Sequence, residues 1–197
     1  MVSSGTYLSW KESRRGDRGF TLIELLVALA VASIIMTIAV PSYSGFVKNN
    51  RLVTQANDFI TSLQLARSEA AKRNTFVTVC KSSDGASCAA NGSWEQGWIV
   101  FVDSDSDAAV DAGEDVLRVQ GALDGETAFS AQTDVSDYIS YQALGFAQLT
   151  GGGIQQGRLM LCDERGFVAN SRAIDLSATG RPRVADPAEF GLASCAL

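Results

Sequence analysis

The chain has 197 residues, 46% of them hydrophobic, which is enough to fill one modest core and to carry an additional segment. The formal net charge is −6, and an acidic body repels phosphates except at a local basic patch. The sequence contains no histidine, which excludes Ser-His-Asp and Cys-His nucleophile pairs and His-containing zinc sites. Most hydrolase mechanisms are therefore excluded, and we expect a protein that is not an enzyme.

The N-terminal region combines a basic start with a long apolar run. The first nineteen residues contain four basic and two acidic side chains, and residues 20–40 carry a single charge, Glu24. At about 1.5 Å per residue, a helix over residues 20–40 reaches roughly 30 Å, the thickness of the hydrocarbon core of a bilayer. The basic start places the N-terminus in the cytoplasm. We predict one membrane span, with the remaining residues outside.

This apolar run and its flanks, RGFTLIELLVALAVASIIMTIAVPSY, closely resemble the N-terminus of type IV pilins and type II secretion pseudopilins. The resemblance implies that residues 1–19 are a leader, and that a prepilin peptidase cuts between Gly19 and Phe20 and methylates Phe20. It also implies a periplasmic head on an inner-membrane anchor before assembly, and a place in a pilus at the cell surface afterwards. Pro41 matches the helix-kinking proline that is common in the family.

Glu24 is the chemically unusual residue of the apolar run. A carboxylate in an apolar layer costs several kcal/mol unless it is neutralised or paired, so an intramembrane acid is a candidate functional residue. In a filament of such helices, Glu24 can pair with the terminal ammonium group of Phe20 on a neighbouring subunit and set the axial register. The alternative is a plain signal anchor in which Glu24 lies near the lipid headgroups.

Residues 41–73 continue the helix to about Lys72, with an apolar stripe along one face. We expect this half of the helix to pack the stripe against a globular head. The residues of the predicted stripe are Phe46, Leu52, Val53, Phe59, Ile60, Leu63 and Ala66.

Residues 74–197 change to an extended pattern in which short β-rich runs alternate with Gly, Asn, Asp and Ser clusters. The runs are FVTVCK, GWIVFVD, DVLRVQ, YISYQ, RLMLCD, RAIDLS and RPRVAD. We predict an α+β fold in which two small antiparallel sheets pack on the C-terminal half of the long helix. Trp94 and Trp98 are expected to pack the head, with a ligand platform as the alternative.

Four cysteines without C-x-x-C spacing favour disulfides in an oxidising compartment over a zinc site. Three connectivities are possible. We favour Cys80 with Cys88, which closes a short loop, and Cys162 with Cys195, which attaches the C-terminal tail.

The order of the head motifs resembles the minor pilin family that includes the GspH pseudopilin and the FimT and FimU minor pilins. The motifs are FVTVCKSSDGASC, SWEQGWIVFVDSDSD, GEDVLRV, ISYQALGFA, RLMLCD and GRPRV. This resemblance runs from Arg18 to Arg183 and implies a pilin fold with a long N-terminal helix and a β-rich head.

An acidic stretch, DSDSDAAVDAGE, is the first candidate site. Set against the calcium loop D-x-[DN]-x-[DN]-G-x5-E, it has Ala108 where that loop has glycine, and its flanks look like strands. We expect no resident cofactor, and the stretch is either a weak calcium loop or a solvated acidic hairpin loop. The acidic residues concerned are Asp103, Asp105, Asp107, Asp111 and Glu114.

The second candidate site is the arginine-rich segment near the C-terminus. Arg181 and Arg183 flank Pro182, which favours extended backbone at this point. On a strand the two guanidinium groups share a face roughly 7 Å apart, close to the spacing of phosphates along one DNA strand. Three further arginines make the segment locally basic: Arg158, Arg165 and Arg172.

The run GRPR also resembles the G-R-x-R tail motif of FimT-type minor pilins, which implies binding of double-stranded DNA during natural transformation. Such contacts position a phosphate backbone without reading its sequence. One alternative is that both arginines pair with nearby acids such as Asp175 and Asp186. Another is that the chain only primes assembly of a type IV pilus or a type II secretion pseudopilus, with other pilins as partners.

Overall fold

A computed structural model describes residues 19–167 and 171–197 of the chain. Two compact units are present, one ending at Ser44 and one formed by Gly45–Leu197, which we call the head. The predicted leader lies outside the described residues except for Gly19. A single helix, α1, occupies Leu22–Arg73 and contributes residues to both units.

The first half of α1 is an apolar helix without a covering layer of protein. Every large apolar side chain from Phe20 to Val40 exposes at least half of its surface. Among the described residues, α1 is the one helix that is long and apolar enough to cross a membrane. An apolar surface of this size requires lipid or other protein around it.

The second half of α1 packs one face into the head. The buried residues recur every three or four positions, which is the spacing of one helix face. They are Leu52, Ala56, Phe59, Leu63, Ala66 and Ala70. Two residues of the predicted stripe were assigned wrongly, because Phe46 is 62% exposed and Val53 is 38% exposed. α1 ends where Asn74 adopts a left-handed conformation with φ of 55°.

Eight strands follow α1 in the head. Their bounds are β1 Phe76–Lys81, β2 Trp98–Asp103, β3 Val116–Gln120, β4 Ala128–Ala131, β5 Tyr138–Tyr141, β6 Gly157–Cys162, β7 Arg172–Leu176 and β8 Pro182–Ala185. Sheet A has the strand order β3-β2-β1-β5, and sheet B has the order β4-β6-β7-β8. All neighbouring strands pair antiparallel, so the predicted α+β fold with two antiparallel sheets is confirmed.

Strand β4 was not predicted. Its sequence, AFSA, contains one strong β-former, and alanine is depleted in strands. The strand forms because β6 offers it a partner edge, where Phe129 lies opposite Leu161. Tertiary pairing therefore overrides the weak local preference.

An aromatic cluster joins α1 to both sheets. The ring of Phe59 meets Trp94, Trp98 and Phe129 edge to face, with centroid distances of 4.9, 5.0 and 5.0 Å. Both indole N–H groups have partners, because Trp94 donates to the Val135 carbonyl and Trp98 donates to the hydroxyl of Ser62. Both tryptophans are fully buried, which confirms that they pack the head.

Two disulfides lie within the head, and both are pairs favoured from the sequence. Cys80 is bonded to Cys88, and Cys162 on β6 is bonded to Cys195 near the C-terminus. The buried core of the head begins at Leu52. Because the core and both disulfides lie within Gly45–Leu197, we expect the head to fold on its own.

Candidate functional site

The N-terminal site is built around the start of α1. Thr21 precedes the helix, and its hydroxyl accepts a hydrogen bond from the backbone N–H of Glu24 at 3.3 Å. The Glu24 carboxylate in turn accepts from the backbone N–H of Thr21 at 3.5 Å. This reciprocal capping box satisfies two amide groups that a helix start leaves unpaired. It also holds the carboxylate close to Phe20, the residue that cleavage would make the new N-terminus.

The C-terminal site lies on sheet B. Leu159, Leu161, Ile174 and Leu176 belong to the core, so the alternate residues of β6, β7 and β8 face the opposite side. We call that side the outer face. The outer face carries Arg158, Asp175 and Arg183. In the strand register, Arg158 on β6 lies opposite Asp175 on β7, and Asp175 lies opposite Arg183 on β8, so the three residues lie side by side.

Asp175 bridges two of the predicted arginines. Its carboxylate lies 3.5 Å from Nε of Arg158 and 3.2 Å from Nε of Arg183. Arg183 also donates from Nη1 to Glu189 at 3.1 Å, and these hydrogen bonds, to Glu189 first and then Asp175, raise the pKa of Arg183. The alternative of pairing with nearby acids therefore holds for Arg183, through Asp175 and Glu189 rather than Asp186. Its side chain nevertheless remains 51% exposed.

Arg181 has a different environment. β8 begins at Pro182, so Arg181 is the last residue of the β7–β8 hairpin loop and not a strand residue as predicted. Its backbone N–H donates to the hydroxyl of Ser177 at 3.2 Å. Its side chain is exposed, and within the described ranges its guanidinium forms no ion pair. Arg181 therefore differs from Arg183, which is also exposed but is paired with acids.

The remaining two arginines are engaged elsewhere. Arg165 makes a bidentate contact with Asp163, whose side chain is almost fully buried, and this contact lowers the pKa of Asp163. Arg172 donates from Nη1 to the Ser171 carbonyl at 3.0 Å. The structure therefore brings Arg158 and Arg183 together, while it ties Arg165 to a local acid.

Two residues of this site, Glu189 and Phe190, were missed in the sequence. They lie in a 3₁₀ turn at Pro187–Phe190, and the Phe190 ring lies 4.2 Å from the Arg158 guanidinium carbon and 5.2 Å from that of Arg183. A signal was available, because Asp186 before a proline and Gly191 after the turn are typical caps of a short helical element.

The acidic loop connects β2 to β3. Asp103, the last residue of β2, is fully buried and accepts a hydrogen bond from the Thr78 hydroxyl at 2.6 Å. Its oxygens also accept from the backbone N–H groups of Asp107 and Ala108, both at 3.2 Å. Burial raises the pKa of Asp103. Ala108 adopts a left-handed conformation with φ of 61°, at the position where the calcium loop pattern has glycine.

The same loop collects carboxylates that repel one another. Two groups each bring one carboxylate oxygen per residue within 4.8 Å of the others: Asp103, Asp105 and Glu114, and Asp105, Asp107 and Asp111. Repulsion, chiefly by Asp107, raises the pKa of Asp111. Calcium at this loop stays a prediction. A calcium-dependent rise in melting temperature would support it, and unchanged melting in chelator would discard it.

Comparison with known proteins identifies the family. Residues 55–180 match the family model described as type II transport protein GspH. The chain belongs to the GspH family. Residues 14–40 also match the prokaryotic N-terminal methylation motif, the segment that holds Gly19, Phe20 and Glu24. The resemblance to minor pilins and pseudopilins is confirmed by these two matches.

Individual relatives agree with this family. The chain is 33% identical to the pilin-like protein PilA1 of Thermus thermophilus over 100 residues, which cover 50% of this chain and 56% of that protein. The match thus spans little more than half of PilA1.

Among solved structures, the type IV minor pilin FimU of Pseudomonas aeruginosa PAO1 is 19% identical in one crystal form, with a TM-score of 0.57. That match covers 76% of this chain and 98% of the FimU chain. A second crystal form of FimU is 18% identical with a TM-score of 0.51 and covers 73% and 99% of the two chains. At these identities the likeness shows the fold.

Proposed function

We propose that this GspH family member is a structural, non-enzymatic minor subunit of a type IV pilus or a type II secretion pseudopilus. Residues 20–40 hold the precursor in the inner membrane, a prepilin peptidase cuts after Gly19, and the mature helix then enters a filament. The observation that carries the proposal is Glu24, a carboxylate at the start of an exposed apolar helix, within the segment that matches the methylation motif.

The role of Glu24 follows from the cost of burying a charge. When neighbouring helices cover this apolar surface, the carboxylate loses water and needs a cation. The described helix offers none nearby, because its first basic residue after Glu24 is Lys48. The ammonium group created at Phe20 by cleavage supplies that cation, either from a neighbouring subunit or from the same chain.

The test is incorporation of the full-length protein into filaments sheared from cells. Glu24→Gln keeps the shape and the capping oxygen but removes the charge, so we expect normal insertion and cleavage with at least a tenfold lower amount in filaments. Glu126→Gln is the matched control, since Glu126 is exposed on the head. Normal incorporation of the Glu24→Gln protein would contradict the proposed role.

A second candidate function is binding of extracellular double-stranded DNA for uptake in natural transformation. Arg181 supports it, because this exposed guanidinium has no ion-pair partner among the described residues. Arg183 adds a second guanidinium that is half exposed. An arginine fork donates two hydrogen bonds to a phosphate, and contacts of this kind are weak, salt-sensitive and indifferent to sequence. Several subunits in one filament would add avidity.

Fluorescence anisotropy of labelled duplex DNA with the oxidised head tests this second function. We expect the affinity to fall with salt, with a slope of about 0.9 in log–log units for each phosphate contacted. The Arg181→Ala, Arg183→Ala double variant should lose most of the binding. Arg118→Ala, on β3 of sheet A, is the control for loss of one arginine. A folded head that binds no DNA at low salt would leave only the structural role.

A further inference from the structure

The C-terminal tail, residues 186–197, lies over the outer face of sheet B. Cys195 is bonded to Cys162 on β6, and its backbone carbonyl accepts a hydrogen bond from the hydroxyl of Ser130 on β4. The outer-face side chains of Met160 and Ala173 are fully buried. These contacts show that the tail is attached across this face at its far end.

The near end of the tail occupies the two outer-face arginines. Phe190 contacts the guanidinium groups of both Arg158 and Arg183, at 4.2 and 5.2 Å from the ring centroid. Glu189 accepts a hydrogen bond from Nη1 of Arg183 at 3.1 Å. A carboxylate and a phosphate use the same donors of a guanidinium group. Glu189 therefore takes a position on Arg183 that a DNA phosphate would need.

The turn that carries these two residues is locally well defined. The side chain of Asp186 accepts from the backbone N–H of Ala188 at 2.9 Å, and Pro187 stands at the first helical position. Gly191 closes the turn in a left-handed conformation with φ of 64°. The backbone of the turn is therefore capped at both ends, and Glu189 and Phe190 both contact the arginines from this one turn.

We propose that the tail masks a second phosphate-binding surface formed by Arg158 and Arg183, and that displacement of Glu189 and Phe190 opens it to duplex DNA. The inference rests on the proposed DNA binding. Arg181, which is not among the residues that the tail contacts, makes the first contact with the phosphate backbone of the DNA. The disulfide to Cys162 keeps the displaced tail attached, so the mask re-forms when DNA leaves.

The experiment compares variants of the oxidised head by anisotropy with labelled duplex DNA. The unmasked variant is Glu189→Gln with Phe190→Ala, and Glu189→Gln alone is a milder version that keeps the ring. The matched control is Glu126→Gln with Leu144→Ala, which removes one charge and one exposed apolar side chain elsewhere on the head. Thermal melting checks that each variant is folded.

We expect the unmasked variant to bind roughly fivefold more tightly than the control, since the exposed ion pair between Glu189 and Arg183 is broken and the Phe190 ring no longer covers the two guanidinium groups, while Asp175 keeps its contacts with Nε of each. The slope of log affinity against log salt concentration should steepen by about 0.9 for each additional arginine that contacts a phosphate. Adding Arg158→Ala and Arg183→Ala to the unmasked variant should remove the gain. Equal affinity of the unmasked variant and the control, with the wild-type head binding DNA, would overturn the masking.

A second measurement separates masking from DNA binding. Phenylglyoxal modifies accessible guanidinium groups, and mass spectrometry reports the rate at Arg158 and Arg183 without any DNA. Faster labelling of both arginines in the unmasked variant than in the control would support masking, whether or not the head binds DNA. Absence of DNA binding by every variant would refute the DNA function and leave the masking in place. Equal labelling rates would overturn the mask itself.

Discussion

Phe59 offers the sharpest test of how the head is held together. The side chain is fully buried on α1 and contacts the aromatic rings of Trp94, Trp98 and Phe129. Trp98 belongs to sheet A and Phe129 to sheet B, so the ring joins the helix to both sheets. Phe59→Ala would remove the central member of this cluster and leave a cavity.

The expected cost follows from the chemistry of core truncation. Replacing a buried phenylalanine by alanine costs about 3–5 kcal/mol of unfolding free energy. Each edge-to-face ring pair contributes about 0.5–1.5 kcal/mol beyond burial, so three lost pairs place this variant at the upper end. A domain has a total stability of about 5–15 kcal/mol. At about 2–4 °C per kcal/mol, the melting temperature should fall by at least about 10 °C.

Thermal denaturation of the oxidised head, followed by circular dichroism, measures this loss. Phe46→Ala is the matched control, because it is the same substitution on the same helix at a side chain that is 62% exposed. Surface substitutions of this kind change stability by about 0.5 kcal/mol or less. If Phe59→Ala and Phe46→Ala melted within a degree or two of each other, the described core packing would be refuted.

Three further predictions concern processing and charge. Gly19→Val should leave an unprocessed precursor on gels, although a side chain there meets nothing within 4 Å; normal processing would refute the cleavage site. Asp111→Asn should raise the melting temperature at pH 7 in chelator, because a carboxyl with a raised pKa destabilises the head when charged, and the gain should vanish below about pH 4. Lys81→Met should lower the free energy of unfolding by about 1–3 kcal/mol. The Lys81 side chain is only 4% exposed, and its ammonium group donates to the Gly92 carbonyl and the Asp137 carboxylate. Because Lys81 lowers the pKa of Asp137, the wild-type advantage should persist at neutral pH and shrink as pH falls through that lowered value.

The predicted helix and strands rest on local patterns, and most of them agree with the structure. α1 ends at Arg73, one residue beyond the predicted Lys72, and seven of the eight strands coincide with predicted extended runs. Phe46 and Val53 were placed in the buried stripe because they are apolar and roughly in phase. Only the position of the sheets shows that the packed face passes through Ala56 and Ala70 instead.

The arginine site shows the limit of this reasoning. The sequence shows five arginines in a short region, and their positive charge is a local property. Whether each is available depends on strand register, which brings Asp175 opposite both Arg158 and Arg183. It also depends on the turn that follows β8, where Glu189 and Phe190 contact the arginines of the outer face.

Local sequence was enough to predict the membrane helix, the processing motif with Glu24, the strand-rich head and the family, because each depends on residues within a short window of chain. Only the folded chain shows which arginines remain accessible, where β4 forms and how the acidic loop folds around the buried Asp103. Those features depend on contacts between residues distant in sequence, and the energy of an ion pair or a strand edge is set by the partner that folding brings next to it.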